Sequence, residues 1–205
     1  MDIILASRNK KKIRELKSII EACGLSGEDA EVNIHTPDEF PECGEVEEDG
    51  ATFEANAIKK AAYIFECSGM TAVADDSGLE VDVLDGAPGV YSARYAGEAT
   101  DDWANLMKLL KEMEGVSDEK RGARFVCCIA LADRSGIKTF MGRVEGRIGT
   151  EPRGAKGFGY DPVFFPEGYD RTFGEMSDEE KSSMSHRGRA LQKLSEYIKK
   201  KGLEA

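Results

Sequence analysis

Apolar residues come in short blocks along this chain, and the spacing inside each block predicts its element. Asp2 to Ala6 is an apolar run closed by Ser7-Arg8-Asn9, which predicts a short buried strand. Ile13, Leu16, Ile19, Ile20 and Cys23 then recur at three- and four-residue spacing, a helix stopped by Gly24. Asp29 to Thr36 predicts a second strand around Val32 and Ile34, and Pro37, Pro41 and Gly44 break the chain into an acidic loop. A long helix is expected from Ala51 to Cys67, its stripe made by Phe53, Ala57, Ala61, Ile64 and Phe65 and its end by Gly69. Thr71 to Ala74 is apolar and stops at Asp75-Asp76-Ser77-Gly78; Leu79 to Leu84 resumes the alternation of a strand. After a Gly- and Tyr-rich loop, Asp101 to Met113 predicts a helix. Arg124–Ala132 and Lys138–Val144 read as a hairpin turned at Asp133-Arg134-Ser135-Gly136. Pro162 to Phe165 is a short apolar segment, Ser177 to Lys181 a helical turn, and Arg189 to Lys200 a final amphipathic helix. Strands and helices alternate around one antiparallel hairpin, so the expected fold is α/β with a mixed sheet. No repeat or linker interrupts the 205 residues, which are read as one domain, 1–205.

Composition narrows the class. With 40% apolar and 33% charged residues the chain has the balance of an ordinary soluble domain. It has no apolar run long enough for a membrane span and no signal-peptide core, so a cytoplasmic protein is expected. The net charge of −11 argues against general binding to nucleic acid or an anionic membrane. That charge is concentrated: between Lys17 and Lys59 lie twelve acidic residues and no basic one, and the remainder is close to neutral. Most of the acidic stretch reads as a solvated face, with a few members held back as metal ligands. The five cysteines show no Cys-x-x-Cys spacing, and Cys127-Cys128 sits inside an apolar run, so reduced thiols are expected.

Four blocks carry chemistry. Ser7-Arg8-Asn9-Lys10-Lys11-Lys12 lies in a strand-to-helix turn, where backbone N–H groups and the helix dipole attract anions. Lysines there oppose the dipole, so the block is either a misplaced solvated cluster or a triphosphate site. Asp75-Asp76-Ser77-Gly78 follows an apolar strand and reads as an Asx-type turn or as carboxylates for Mg²⁺, which needs only one or two when phosphates complete its shell. Phe158-Gly159-Tyr160-Asp161 offers aromatic faces and a carboxylate for stacking a base, or aromatic core residues. Lys181 to Arg187 gathers Lys181, His186 and Arg187 just before a helix; the lone His35 is read as inert. Gly149 to Lys156 is not a P-loop, because Ala155 separates Gly154 from Lys156 and no helix pattern follows.

Taken in order, these blocks resemble the RdgB/inosine triphosphatase family of purine nucleoside triphosphate pyrophosphatases. The resemblance covers essentially the whole chain and rests on Ser7-x-Asn9-x-x-Lys12, Glu47-Glu48-x-Gly50-x-Thr52-Phe53, Ala74-Asp75-Asp76-Ser77-Gly78-Leu79, Gly89-x-Tyr91-Ser92-Ala93-Arg94-Tyr95, Gly157-Phe158-Gly159-Tyr160-Asp161-Pro162 and Glu180-Lys181-Ser182-x-x-Ser185-His186-Arg187. It implies a mixed, curved central sheet with flanking helices, two lobes around an active-site cleft, and a homodimer. It implies Mg²⁺-dependent hydrolysis of dITP, ITP and XTP to the monophosphate and pyrophosphate. Carried over, Ser7, Arg8, Asn9, Lys10, Lys11 and Lys12 hold the triphosphate, with Lys12 also catalytic. Glu47 and Asp76 ligate the metal, Glu48 being the neighbouring alternative to Glu47. Asp76 takes the proton of the attacking water, and Ser77 contacts substrate. Phe158, Gly159, Tyr160, Asp161, Lys181, His186 and Arg187 hold the base. Cationic donors match the 6-oxo group of hypoxanthine or xanthine and leave the adenine amino group unpaired, a basis for discrimination of about 10⁴. Arg8 stands where relatives often have a small residue and is expected to add a phosphate contact. The competing readings are a nucleotide-binding module without catalysis, a pyrophosphatase of other modified nucleotides, and an acidic interaction protein using residues 28–54.

Overall fold

The computed structural model describes residues 2–22, 24, 32–97 and 101–203. Its strands are β1 (Asp2–Leu5), β2 (Asn33–His35), β3 (Thr71–Val81), β4 (Gly122–Asp133), β5 (Gly136–Ile148) and β6 (Phe164–Pro166). Its α-helices are α1 (Lys10–Ala22), α2 (Phe53–Ser68), α3 (Asp102–Glu112), α4 (Asp178–Met184) and α5 (His186–Leu203). The strands form one sheet in the order β2-β1-β3-β4-β5-β6. It is mixed: β1 runs parallel to β2 and β3, with Ile3 opposite Ile34 and Ile4 opposite Ala72, and β6 runs antiparallel to β5. The expected α/β class with a mixed sheet and flanking helices is the observed one. Cys23 and residues 29–31, parts of the expected first helix and second strand, lie outside the described residues. Among the described residues, no helix is long and apolar enough to cross a membrane.

Local chemistry explains the boundaries. Thr52 caps α2 by accepting from the Ala55 N–H at 3.1 Å, and Gly69, at φ 70°, closes its other end in the left-handed region open to glycine. Ser177 and Glu180 form a reciprocal capping box at the start of α4.

The chain divides into two compact units. The first comprises Met1–Asp76, Cys127–Gly142 and Arg187–Ala205. Its core joins Ile3, Leu5 and Val73 from the sheet to Leu16, Ile19, Ile20, Leu191 and Leu194 from α1 and α5. The second comprises Ser77–Val126 and Arg143–His186, with a core of Leu79, Leu106, Leu109, Phe125, Phe164 and Phe173. Each such side chain taken fully out of water contributes about 1.5–3 kcal/mol, so each unit has its own driving force.

Two expectations need correction. Asp75-Asp76-Ser77-Gly78 is not a turn: β3 continues through it from Thr71 to Val81. A carboxylate in a strand interior is tolerable when a cation meets it, and here cations meet both. The cysteines are not all reduced either. Cys43 and Cys67, with Cα atoms 5.8 Å apart, are joined by a disulfide. Cys127 and Cys128 are buried free thiols, and burial pushes the Cys128 thiol up to about 12. Both are therefore inert small core residues, as expected.

Candidate functional site

In the first unit, the β1–α1 turn is built by its own polar residues. Asn9 is the N-cap of α1: its Oδ1 accepts from the backbone N–H groups of Lys11 at 3.0 Å and Lys12 at 3.2 Å. Ser7 Oγ in turn accepts from the Asn9 N–H at 3.3 Å. The first turn of the helix contains no acid and begins with Lys10, Lys11 and Lys12. Its dipole and its side chains are positive together, an arrangement that an anion relieves. Lys10 and Lys11 are exposed, whereas Lys12 turns inward and places Nζ 3.6 Å from Asp75 Oδ2. Arg8, expected to add a phosphate contact, faces the acidic loop here. Its Nη2 donates to the Cys43 carbonyl at 2.9 Å and its Nε lies 3.9 Å from Glu45, because a long cation beside an acidic loop pairs with that loop.

Asp75 and Asp76 follow one another along β3 and so project to opposite faces. Asp75 is fully enclosed. Burial alone would raise its pKa, yet Lys12, Arg187 and Lys60 together hold it well below the usual carboxylate range. Arg187, itself 1% exposed, reaches Asp75 Oδ2 through Nη2 at 3.1 Å and Glu15 through Nη1 at 2.5 Å. This places Arg187 in a buried charge network of the first unit.

Asp76 has a different company. Asn56 Nδ2 donates to its Oδ2 at 3.0 Å, and Lys60 Nζ lies 3.6 Å from its Oδ1. The same Nζ donates to Glu48 Oε1 at 2.9 Å, so one ammonium faces two carboxylates. Burial raises the Asp76 pKa, and the attraction of Lys60 and Lys12 does not cancel it. For Glu48 the balance reverses: burial raises its pKa, but Lys60 brings it below the ordinary value. Glu47 is exposed on the loop, so Glu48 is the acidic neighbour brought to the Lys60 end of Asp76. Two carboxylates around one cation suit a divalent ion that takes its remaining ligands from phosphate. Among the described residues no group of three His, Cys, Asp or Glu side chains forms a cage without such help. Lys60 and Asn56 were not singled out in the sequence. Their signal is position: with Phe53, Ala57, Ala61 and Ile64 they line the buried face of α2, where a polar residue needs a partner.

The second unit assembles a smaller set. Lys181 Nζ donates to Asp161 Oδ2 at 2.8 Å, and the Phe158 N–H donates to the same oxygen at 2.7 Å. Asp161 therefore holds the loop and the lysine in place. Gly157, at φ 72°, permits this approach, since a Cβ there would stand 2.1 Å from Asp161 Oδ2. Lys181 Nζ also lies 4.9 Å from the centre of the Phe158 ring. His186 stacks on Phe125, with centroids 4.7 Å apart and planes 10° from parallel. Tyr160 is a core residue: its ring is buried and its hydroxyl donates to the Ser92 carbonyl at 2.9 Å. Ser77 is half-buried where β3 enters this unit, and Gly159 follows Phe158 at φ 61°.

The model of the Ham1 family matches residues 3–197. A protein of Desulforamulus reducens named dITP/XTP pyrophosphatase is 51% identical over 97% of this chain and 96% of its own length. One of Geobacter sulfurreducens with the same name is 47% identical over 98% of each. Among solved structures, a HAM1 protein from Coxiella burnetii superposes with a TM-score of 0.87 at 39% identity, covering 98% of this chain and 99% of that one. The structure of a nucleoside-triphosphatase, dITP/XTP pyrophosphatase, from Mycobacterium abscessus matches with a TM-score of 0.76 at 47% identity, over 95% of this chain and 97% of that one.

Proposed function

The chain belongs to the Ham1 family, and from that premise we propose that it hydrolyses dITP, ITP and XTP to the monophosphate and pyrophosphate with Mg²⁺. The observation that carries this reading is the charge arrangement of the first unit. A helix N-terminus with three lysines stands next to two buried strand carboxylates whose pKa values the fold moves in opposite directions. The helix end, Ser7, Asn9 and Lys12 bind and orient the triphosphate; positioning and charge neutralisation are most of what phosphoryl transfer asks. Asp76 accepts the proton of the attacking water, and burial, which raises its pKa, makes it a better proton acceptor. Asp76 and Glu48 would hold Mg²⁺, which supplies charge on the phosphate oxygens and a lowered pKa for bound water. Lys181, held by Asp161, and His186 donate to the 6-oxo edge, while Phe158 covers the base. The protein acts as a cytoplasmic homodimer in this reading, and light scattering in solution reads the oligomeric state.

The test is product analysis with Mg²⁺ and a mixture of dITP, XTP, dATP and dGTP. Loss of dITP and XTP to monophosphates with pyrophosphate released is the expected result. Diphosphates with orthophosphate would overturn the cleavage position, and equal loss of dATP would overturn the base assignment. Binding of dITP without turnover would favour a nucleotide-binding module.

A further inference from the structure

The loop that carries Glu48 runs antiparallel along one face of α2 and is tied to it step by step. Gly50 N–H donates to Asn56 Oδ1 at 2.7 Å. Lys59 Nζ donates to Asp49 at 2.7 Å, and Lys60 Nζ to Glu48 at 2.9 Å. Further along, the Gly44 N–H donates to the Tyr63 hydroxyl at 3.0 Å. Last comes the Cys43–Cys67 disulfide. Asn56, Lys60, Tyr63 and Cys67 are three or four residues apart and share a face, which Lys59, four residues before Tyr63, borders. The near end of this lace holds Asp76 through Asn56, and the far end is the only covalent tie in it. The Cys43 carbonyl also accepts from Arg8, which follows Ser7 in the phosphate-binding turn. Cys43 is thus joined to both halves of the proposed metal and phosphate set. It is fully buried, whereas Cys67 is exposed.

We propose that Cys43 and Cys67 are positioning residues whose disulfide holds the Glu48 loop in register, so that a dithiol reductant lowers metal affinity and oxidation restores it. The inference rests on the reading of Asp76 and Glu48 as the metal-binding pair. A thiolate of the reductant attacks the exposed Cys67 sulfur. The electron pair of the broken S–S bond leaves on Cys43, which takes a proton. The second thiol of the reductant then displaces Cys67, which is protonated in turn. The protein gains two electrons and two protons, and the reductant leaves as its own disulfide. Disulfides of cytosolic proteins are commonly of this transient, sensing kind.

The experiment uses the whole protein, oxidised or reduced by dithiothreitol, and the Cys43→Ser/Cys67→Ser variant. Three readouts are taken: thiol count in denaturant, Mn²⁺ binding without nucleotide, and amide hydrogen exchange. The oxidised chain should show three of its five cysteines as thiols. Reduction should weaken Mn²⁺ binding roughly three- to tenfold, the size of losing one anchor among several. Exchange should quicken at Gly44–Gly50 and stay unchanged in Ser77–Val126. Reoxidation should reverse both effects in the wild type, and the double variant should ignore the reductant. Five thiols under oxidising conditions, unchanged Mn²⁺ affinity on reduction, or faster exchange throughout both units would each overturn the proposal. If the variant does not fold, the reversible wild-type cycle decides alone. Should neither redox state hydrolyse dITP, the proposed function falls, while Mn²⁺ binding and exchange still judge the disulfide.

Discussion

The two sides of β3 treat neighbouring aspartates in opposite ways. On the Asp75 side, burial is answered by Lys12, Arg187 and, behind Arg187, Glu15, so the carboxylate stays charged far below its ordinary range. On the Asp76 side, burial outweighs Lys60, which Glu48 shares, the more distant Lys12 and the Asn56 amide, so the pKa moves up. The same residue type at adjacent positions is thus held charged on one face and pushed toward its neutral form on the other. The second unit offers a third arrangement. Lys181 and Asp161 are both nearly enclosed and meet at 2.8 Å, with the ammonium against the rings of Phe158 and Phe173. A surplus of charges of both signs suits phosphate and metal; a single pair with flat apolar walls suits a planar base.

The sharpest way to break this contrast is Asp75→Asn. Arg187 and Lys12 would lose their shared anion, and an uncompensated buried charge costs about 3–5 kcal/mol. Urea unfolding should show that loss at pH 7. The Asp75 pKa is depressed in the fold, so its stabilisation is present above the unfolded value and fades as pH falls through the folded one. The gap between wild type and variant should therefore shrink below pH ~4. A gap independent of pH would remove Asp75 from the anchor role.

Asp76→Asn should give the complementary result. Turnover of dITP should drop by about 10²–10⁴, the range for losing a general base. Stability at pH 7 should hold or rise, because the fold raises the pKa and disfavours the charged form. Triphosphate binding should be retained. Equal losses of turnover and binding would return Asp76 to a purely structural part.

Lys181→Met tests the second unit and a smaller effect. It keeps the apolar stem and removes the charge facing Asp161, which still accepts from Phe158. A stability loss of about 1–3 kcal/mol is expected. The KM for dITP should rise more than kcat falls, and discrimination against dATP should narrow. A change in kcat alone would argue that Lys181 does not read the base.

Much of this was legible in the residues. Apolar periodicity located the helices and strands, and glycine and capping residues set their ends, because these signals act within a few residues. What was not legible shares one cause. Asp75 and Asp76 looked like a turn because charge inside a strand is disfavoured until Lys12, Lys60 and Arg187 arrive from α1, α2 and α5. The partners that Arg8 and Arg187 find in the fold, Glu45 for one and Asp75 and Glu15 for the other, lie far away in the chain, and charge states what a side chain wants and not which partner lies in reach. Cys43 and Cys67, 24 residues apart, carry no spacing signal, and only the course of the loop along α2 brings them together. Lys60 and Asn56 left a fainter trace as polar residues on the buried face of a helix.

The smallest effect concerns His35, which was read as inert and has no part in the site. It belongs to an exposed charge group at the edge of the sheet, with Nδ1 2.9 Å from Glu39 and Nε2 3.4 Å from Asp2. The hydrogen bond to Glu39 raises its pKa above 6.5, with help from Asp2 and against slight burial. A raised histidine stabilises the fold fully below its unfolded pKa, and the contribution is lost as pH rises through the folded value. His35→Gln should therefore lower the melting temperature on the order of 1–2 °C at pH 5.5 and by less at pH 8.5. The carboxylates of Asp2 and Glu39 remain ionised across that range, since both are themselves lowered by their hydrogen bonds. Of these three side chains only the imidazole changes charge in the window, so a difference that stays constant with pH would mean its hydrogen bonds matter and its charge does not.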